Sequence, residues 1–375
     1  MLRVLHAPVN IGNQPWVLSR QERALGVCSD LVVKHGSWLQ YPADRFLNTS
    51  PQMTWRDKLR RVAFGLLSPL RYDVLQYYFG QSFLGSRAGR GHWHNFIDLK
   101  LASKLKRKIF MTLQGCDVRL SDRSDRCNRI TMCRPGHCSE VASCRAGEDE
   151  GRRWFIQAIL PRCDRVFILN PDLAHVAPGA VFLPYANVDV EASVPHWPKT
   201  EGPITLLHAP SDEGIKGTRF IVDAVERLKK RWPIELVLVR GLPHAEALKR
   251  YRAADLVIDQ VLLGWYGGFA VEVMAMGKPV ACYLREDDLG VLPQAMRAEL
   301  PVRKVNPETL EDDLEALLAQ RGRWPEWGRQ ARAFVLRWHH PRRIAQAMVR
   351  AYREPGAPFV LEVDIESQEA PRCAA

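Results

Sequence analysis

Residues 204–218 read ITLLHAPSDEGIKGT, and this stretch decides the fold class. A short apolar run predicts a buried strand, a Pro-Ser loop follows it, and Lys216-Gly217-Thr218 opens a helical pattern. The alternation of strand and helix continues downstream. The predicted strands are Ile204–His208, Ile234–Val239, Leu256–Asp259 and Val280–Tyr283, and the predicted helices are Thr218–Arg231, His244–Arg252 and Ala270–Met276. Such alternation is typical of a parallel sheet with crossover helices.

The first half of the chain shows the same alternation with basic helical stretches. Its predicted strands are Arg3–His6, Leu31–Lys34, Val74–Tyr78, Lys108–Leu113, Arg165–Leu169 and Val181–Leu183. The Pro-rich segment Asp189–Pro203 has no clear period and is interpreted as a linker. We therefore expect two α/β domains, residues 1–190 and 203–354, followed by a flexible tail at 355–375.

Three helical patterns close the chain, at Glu308–Gln320, Trp324–Trp338 and Arg342–Arg353. They either complete the second domain or cross back over the first. A chain of 375 residues with 46% hydrophobic and 25% charged residues has room for two domains with full cores. This composition excludes general disorder, a collagen helix, a coiled coil and a repeat array.

The net charge of +11 is confined to one half of the chain. Residues 1–200 contain 28 Lys and Arg against 17 Asp and Glu, whereas residues 201–375 contain 25 of each. This asymmetry favours an anionic partner without selecting among a nucleic acid, a phospholipid surface, a phosphorylated substrate and an acidic glycan. No export or membrane segment is visible, so a cytoplasmic protein is expected.

A segment within the basic half has an amphipathic pattern. Trp55, Leu59, Val62 and Leu66 fall on one helical face, with Lys58, Arg60 and Arg61 elsewhere. This pattern fits an anionic membrane surface, and hence a peripheral position at the inner membrane face. The alternative is a basic surface helix that covers the core.

Four of the nine cysteines cluster within 18 residues, inside an expected insertion at about 120–150. They are Cys127, Cys133, Cys138 and Cys144, with gaps of five, four and five residues. These gaps are longer than the usual paired spacing of zinc ligands, so a structural zinc site competes with free thiols or a redox pair.

Two motifs in the second half point to a phosphorylated nucleotide ligand. Lys216 and Gly217 lie where a strand-to-helix loop brings backbone N–H groups and positive charge together, which suits a phosphate; coincidence is the alternative. Further on, the glycine loop at 264–268 leads into an apolar helix with one carboxylate, Glu272. A ribose diol would suit that carboxylate, because it accepts two hydrogen bonds; a solvent-facing glutamate is the alternative.

These motifs, about 55 residues apart and in this order, resemble the C-terminal domain of retaining GT-B glycosyltransferases of glycosyltransferase family 4. The resemblance extends over most of the chain. It also includes the runs APVNIGN at 7–13, YDVLQYYFG at 72–80, QGCDVR at 114–119 and LPYANVD at 183–189. It implies a GT-B fold, in which two Rossmann-like parallel-sheet domains face each other across a cleft.

The resemblance also implies an activity and site residues. A nucleotide-diphospho-sugar donor would lie between the domains, with Glu272 on its ribose and Lys216 on its diphosphate. The remaining donor-binding residues would be Gly12, Arg240, Gly267, Gly268 and Phe269, and Asn13 and Arg119 would lie on the acceptor side. Retention in the family is explained by front-face attack, so no dedicated base is required. Asp117 either orients an acceptor hydroxyl or caps its own loop.

The chain departs from the family pattern at two positions. Gly264 stands where the first carboxylate of a paired-glutamate motif is expected, so that its sugar contact is missing or is supplied by Asp259 or by Trp265 and Tyr266. Ser211 occupies the region of an expected basic residue, and the candidates to replace it are Arg119 and Arg240.

The resulting hypothesis is a transferase that moves a sugar to a glycan or lipid-linked acceptor in cell-surface polysaccharide or glycoconjugate synthesis. No cofactor is expected for catalysis, apart from the candidate structural zinc, and no catalytic metal, because no Asp-x-Asp pair ends a strand. The alternative is a catalytically silent GT-B-like protein that binds sugar nucleotides. The chain contains no recognised nucleic-acid-binding motif, so no nucleic-acid partner is expected. It also lacks the Gly-x-Gly-x-x-Gly that a nicotinamide oxidoreductase has after the first strand.

Overall fold

The computed structural model describes residues 1–36, 39–48 and 53–361. Its strands form two sheets whose recorded pairings are all parallel. The strands are β1 Arg3–Ala7, β2 Cys28–Val33, β3 Arg45–Phe46, β4 Val74–Tyr78, β5 Lys108–Leu113, β6 Arg165–Ile168, β7 Val181–Phe182, β8 Ile204–His208, β9 Ile234–Leu238, β10 Leu256–Ile258, β11 Val280–Cys282 and β12 Arg303–Lys304. The prediction of an α/β protein with two parallel sheets is confirmed.

The helices fill the connections between the strands. They are α1 Gln14–Ala24, α2 Trp55–Arg71, α3 Ile97–Lys104, α4 Ser121–Cys127, α5 Val141–Ser143, α6 Asp149–Ala158, α7 Glu213–Lys216, α8 Thr218–Leu228, α9 His244–Ala253, α10 Gly268–Ala275, α11 Gln294–Ala298, α12 Leu310–Ala319, α13 Trp324–Trp338 and α14 Pro341–Arg353. Short 3₁₀ turns and one π turn, Cys144–Glu148, complete the helical segments.

The first sheet has seven strands in the order β3-β2-β1-β4-β5-β6-β7. Its central strand β4 is buried at every residue, because helices cover both faces of a parallel sheet. Val4 of β1 pairs in register with Val74 of β4, and Val74 with Lys108 of β5. The carboxyl ends of these strands therefore meet at one edge, which is where α/β sheets bind ligands.

The second sheet has five strands in the order β12-β11-β10-β8-β9. Helix α8 covers it with Ile221, Ala224, Val225 and Leu228, which are buried and recur at the spacing of one helical face. Helix α10 has no polar face of this kind, and all residues from Ala270 to Ala275 are buried. A helix that is apolar all round belongs in the interior, so the single carboxylate of α10 is enclosed by protein.

The last helix crosses back to the first sheet, whereas α12 and α13 remain with the second. Ile344, Met348 and Tyr352 of α14 pack in one cluster with Val4 and Phe110 of the first sheet. The next segment stays on this surface, where the ring of Phe359 lies 5.1 Å from that of Phe167. The segment expected to be a flexible tail is thus packed as far as Leu361, and its residues 362–375 lie outside the described part of the chain.

Candidate active site

A cavity of about 420 Å³ lies between the carboxyl ends of the two sheets. The first sheet contributes loops after β1, β4, β5 and β6, and the second contributes loops after β8, β9 and β10. Seven of the residues expected to bind the donor or acceptor line this cavity. They are Gly12, Arg119, Lys216, Gly267, Gly268, Phe269 and Glu272.

Lys216 is the last residue of the short helix α7 rather than the first of a helix. Asp212 caps α7 by accepting the backbone N–H of Ile215, and Gly217 ends it in the left-handed region at φ +77°. A Cβ at Gly217 would lie 2.6 Å from Cγ2 of Val261. Glycine is therefore required by the packing of this turn, which directs the Lys216 side chain into the cavity.

A buried carboxylate holds the lysine in place. Nζ of Lys216 lies 2.6 Å from Oδ1 of Asp259, and the ring of Phe269 lies 5.3 Å from Nζ. The other oxygen of Asp259 accepts the backbone N–H of Gly267 at 2.7 Å. Asp259, which follows β10 and is fully buried, thus joins the lysine turn to the glycine loop.

Glu272 lies one turn into α10, faces the cavity, and is only 5% exposed. Nδ2 of Asn187 donates to its Oε1 at 3.3 Å, and Nε2 of His244 lies 2.9 Å from its Oε2. The hydrogen bond to Glu272 raises the pKa of His244, against the opposing effect of burial. Both partners are donors that a diol could replace at the same oxygens.

The two arginines considered as substitutes for the missing basic residue are already paired. Arg119 is buried and contacts Asp172 through two nitrogens, at 2.6 and 3.0 Å. Arg240 does not line the cavity and forms an exposed ion pair with Glu213 at 2.8 Å. Arg119 is therefore placed for a ligand in the cavity, and Arg240 lies beside it at the surface.

The fold of this chain is similar to that of several proteins of known structure. A scan against protein-family models and a search of curated proteins both found no match. Sucrose-phosphate synthase from Thermosynechococcus elongatus aligns with 95% of this chain and 99% of its own, at 15% identity and a TM-score of 0.57. Anabaena Alr3699/HepE in complex with UDP and glucose aligns with 94% of this chain and 100% of its own, at 10% identity and a TM-score of 0.58. The catalytic domain of starch synthase IV from Arabidopsis thaliana bound to ADP and acarbose aligns with 94% of this chain and 99% of its own, at 11% identity and a TM-score of 0.54.

The chain has the GT-B fold. Its cavity occupies the interdomain cleft that defines this fold, and the residues named above enter the cleft from both sides. At these identities the likeness concerns the fold alone. The chemistry of the cleft must be argued from this chain's own residues.

Besides Arg240, two of the expected residues, Asp117 and Asn13, do not line the GT-B cleft. Asp117 is fully buried beneath it and accepts the backbone N–H groups of Gln114 and Gly115, at 2.6 Å for the latter. This is the loop-capping geometry that the sequence offered as an alternative. Asn13 adopts the left-handed conformation at φ +63° in the turn before α1, next to Gly12.

The residues weighed as replacements for the missing carboxylate have other partners. Gly264 has φ +81°, and a Cβ there would lie 2.9 Å from Cβ of Arg285. Trp265 and Tyr266 are buried, and the Tyr266 hydroxyl lies 2.8 Å from Nε2 of His339. Of these residues, Asp259 is the one whose side chain contacts Lys216.

The cysteine-rich insertion packs against the second sheet. Ile130, Met132 and Cys133 belong to the same cluster as Leu206 and Ile258, and Nη2 of Arg285 donates to the carbonyl of Ile130 at 2.9 Å. Within the described residues, no group of three or more His, Cys, Asp or Glu side chains is arranged to hold a metal ion. We assign no chemistry to Cys127, Cys133, Cys138 and Cys144, which are free thiols.

Sequence reasoning did not identify the two partners of Glu272. Asn187 comes from the segment before the linker, 85 residues away, and also donates to the carbonyl of Gly268 at 3.1 Å. His244 is the first residue of α9, just after the end of β9. Its position at the carboxyl end of a strand was the one available signal, and it is the same signal that singled out Lys216.

Proposed function

We propose that this protein is a nucleotide-sugar-dependent glycosyltransferase. The observation that carries the proposal is the placement of Lys216 and Glu272 in one interdomain cavity, on either side of the glycine turn at 267–268. A cation and a buried carboxylate with two hydrogen-bonding oxygens match the diphosphate and the ribose of a sugar nucleotide. The structures of similar fold in complex with UDP and glucose and with ADP add support.

The transfer would proceed by cleavage of the bond between the sugar and the diphosphate, and negative charge would develop on the departing diphosphate. Lys216 would stabilise that charge, together with backbone N–H groups at the start of α10, which no intrahelical partner uses. The lysine is paired with Asp259 at 2.6 Å, so a donor phosphate would share or take over the ammonium group. Retention follows in this proposal from attack on the same face, with a leaving phosphate oxygen taking the proton of the acceptor hydroxyl.

The acceptor would enter from the side of the first sheet, where Gly12 and Arg119 line the cavity. We propose a glycan or lipid-linked acceptor in cell-surface polysaccharide or glycoconjugate synthesis, because the positive charge of the chain is concentrated in this half. No helix in residues 1–36, 39–48 and 53–361 is long and apolar enough to span a bilayer. A lipid-linked acceptor would therefore be reached from the membrane surface by a peripherally bound protein.

The experiment that tests this function is acceptor-dependent release of nucleoside diphosphate from a panel of sugar nucleotides. We expect release by the unaltered chain and a loss of at least about 100-fold with Lys216→Met, the size of effect seen when one charge-stabilising donor is removed. Glu272→Gln should weaken donor binding, because the amide loses one accepting oxygen. Unchanged turnover in both variants would contradict the assignment of the site.

A catalytically silent GT-B protein is the second candidate, and one observation favours it. The cations Lys216, Arg119 and Arg240 are each paired with a carboxylate of the chain. Glycine also occupies position 264. A silent protein would bind sugar nucleotides as tightly as an enzyme but would release no diphosphate with any acceptor.

A further inference from the structure

The outward face of helix α2 is apolar. Trp55, Leu59 and Leu70 are exposed by 66%, 58% and 56%, and Val62 and Leu67 of the same face are also exposed. The side that packs on the domain is formed by Phe64, Gly65, Ser68 and Pro69 instead. The helix does cover the core, as the alternative interpretation expected, but through Phe64 on its inner side. The apolar stripe itself faces outward along about four turns of helix.

Basic residues flank this apolar face. Arg56, Lys58, Arg60 and Arg71 are all exposed, whereas the one acidic residue of the helix, Asp57, is buried in the capping box with Thr54. An amphipathic helix with a tryptophan at one end and cations at its borders is the pattern of a helix that lies in the interface of an anionic bilayer. The surface complements negative charge as well as hydrocarbon.

A second cavity, of about 470 Å³, opens beside the helix. Val62 and Leu66 of α2 line it, so the apolar face continues into the cavity wall. Leu84 and Ile97 add apolar surface, and Lys34, Arg61 and His94 supply its titratable side chains. Trp93, the neighbour of His94 in sequence, is 80% exposed.

The cations of this second cavity have neutral partners. Lys34 is 6% exposed, and its Nζ donates to Oε1 of Gln81 at 3.2 Å. Nη2 of Arg61 donates to the carbonyl of Phe83 at 3.1 Å. Burial, followed by repulsion from Arg61, lowers the pKa of Lys34 to about 8. Both cations therefore have neutral hydrogen-bond partners and share the attraction of one buried carboxylate, that of Asp98.

Asp98 is the acidic residue whose charge acts on both cations, but its carboxylate oxygens accept hydrogen bonds from other groups. Oδ1 accepts the hydroxyl of Ser82 at 2.6 Å, and Oδ2 accepts the N–H of Leu84 at 3.2 Å. Burial raises the pKa of Asp98, and the charge of Lys34 opposes that shift. Two cations thus share one carboxylate, and an anionic ligand would supply a second negative charge.

We propose that the second cavity binds the phosphate head group of a membrane lipid while the outer face of α2 lies in the bilayer interface. Lys34 and Arg61 contact the phosphate, and the hydrocarbon chain follows Val62 and Leu66 outward. The site is separate from the cavity that contains Lys216. Its existence does not depend on the donor or on glycosyl transfer.

Vesicle co-sedimentation with the full chain tests this proposal. We expect binding to vesicles that contain phosphatidylglycerol and at least about tenfold weaker binding to vesicles of phosphatidylcholine alone, since each cation near an anionic surface contributes about 1 kcal/mol. Lys34→Gln combined with Arg61→Gln removes two charges from the cavity. Lys58→Gln combined with Arg60→Gln removes two charges from the same helix surface outside it and is the matched control.

Binding of a soluble short-chain phosphatidylglycerol distinguishes a specific site in the cavity from general electrostatic attraction to a membrane surface. Its binding should raise the melting temperature of the unaltered chain and of the Lys58 and Arg60 control, but not that of the Lys34 and Arg61 variant. Inorganic phosphate should have no comparable effect. An equal shift with inorganic phosphate would overturn the lipid assignment in favour of a free anion, and an equal shift in all variants would overturn the site.

A second variant covers the case in which loss of Arg61 impairs folding. Val62→Glu places a carboxylate at the cavity wall on an exposed position and removes no hydrogen bond. Leu70→Glu makes the same change on the apolar face away from the cavity. Both should reduce vesicle binding, whereas only Val62→Glu should abolish the shift with the short-chain lipid. Unchanged vesicle binding in both variants would contradict the proposal.

Discussion

Nζ of Lys216 lies 2.6 Å from Oδ1 of Asp259, and this buried ion pair lies in the wall of the interdomain cavity, which Lys216 lines. The same carboxylate accepts the backbone N–H of Gly267, so one side chain fixes two parts of the proposed donor site. In the absence of a ligand, Asp259 neutralises the ammonium charge of Lys216, which would face the diphosphate of a bound donor. The pair explains how a lysine with a 9% exposed side chain stays oriented toward the cavity.

The first prediction concerns the stability of this pair. Lys216→Met leaves Asp259 buried without its cation, and we expect the free energy of unfolding to fall by about 3 kcal/mol. Adding Asp259→Asn should recover part of the loss, with a coupling energy of about 1–3 kcal/mol. Urea unfolding of the two single variants and the double variant measures the cycle. Strict additivity would show that the two side chains do not interact.

The second prediction concerns His244 and Glu272. Because the hydrogen bond to Glu272 raises the pKa of His244, Glu272→Gln should lower that pKa toward its ordinary value of about 6.5. Stability from this bond is fully present below the pKa of the unfolded state and is lost as the pH rises through the folded-state pKa. Imidazole resonances followed by NMR across pH 5 to 9 measure the shift, with the exposed His35 as a reference. The contact is refuted if the pKa of His244 is the same in both proteins.

The third prediction tests the turn that positions Lys216. Gly217→Ala forces a side chain into the left-handed region and brings Cβ to 2.6 Å from Val261, so we expect a loss of about 2 kcal/mol or more. Gly26 has nearly the same conformation, with φ +78°, and nothing lies within 4 Å of a Cβ built there. Gly26→Ala should therefore cost only about 1 kcal/mol. Equal losses in thermal unfolding of the two variants would count against a packing role for Gly217.

The fourth prediction is a loss of stability in mild acid. Burial lowers the pKa values of His208 and His339 to about 4, below the value of about 6.5 expected in the unfolded chain. Between pH 6.5 and 4 the unfolded state binds more protons than the folded state. Lowering the pH through this range therefore decreases the unfolding free energy, by up to about 1.4 kcal/mol per pH unit for each histidine.

His339→Gln isolates one of these two contributions. The difference in unfolding free energy between the unaltered chain and this variant should shrink as the pH is lowered from 6.5 toward 4. Urea unfolding at several pH values measures it. A difference that stays constant over this range would mean that His339 titrates normally in the folded protein.

The strands and the long helices were predictable because each carries its own apolar pattern. Helix Trp324–Trp338 was located to the residue, and the ends of the longer strands to within one residue, except that β2 begins three residues before the predicted Leu31. The strands β3 and β12 were not predicted, because each has only two residues and contains arginine, whereas the equally short β7 is apolar. The crossing of α14 was left open, because periodicity specifies which face of a helix is apolar but not which sheet covers that face.

The candidate site was predictable only where chemistry is local in sequence. Lys216 immediately precedes Gly217, Glu272 follows the glycine loop at 264–268 by one helical turn, and both line the cavity. Their partners Asp259, Asn187 and His244 lie 28 to 85 residues away from the groups they contact, and no local pattern encodes such pairings. The outward orientation of the apolar face of α2 likewise depends on packing against Phe83 and Leu84, which only the fold supplies.

The central claim is that the cavity around Lys216 and Glu272 binds a sugar nucleotide. Thermal unfolding of the purified chain with UDP-, GDP-, ADP- and CDP-sugars tests it most directly, because a ligand at 100 times its dissociation constant adds about 2.7 kcal/mol to the stability of the folded state. We predict stabilisation by one nucleotide class, lost in Glu272→Gln and retained in Gly26→Ala. Stabilisation by none of these ligands, or the same stabilisation in Glu272→Gln, would contradict the claim.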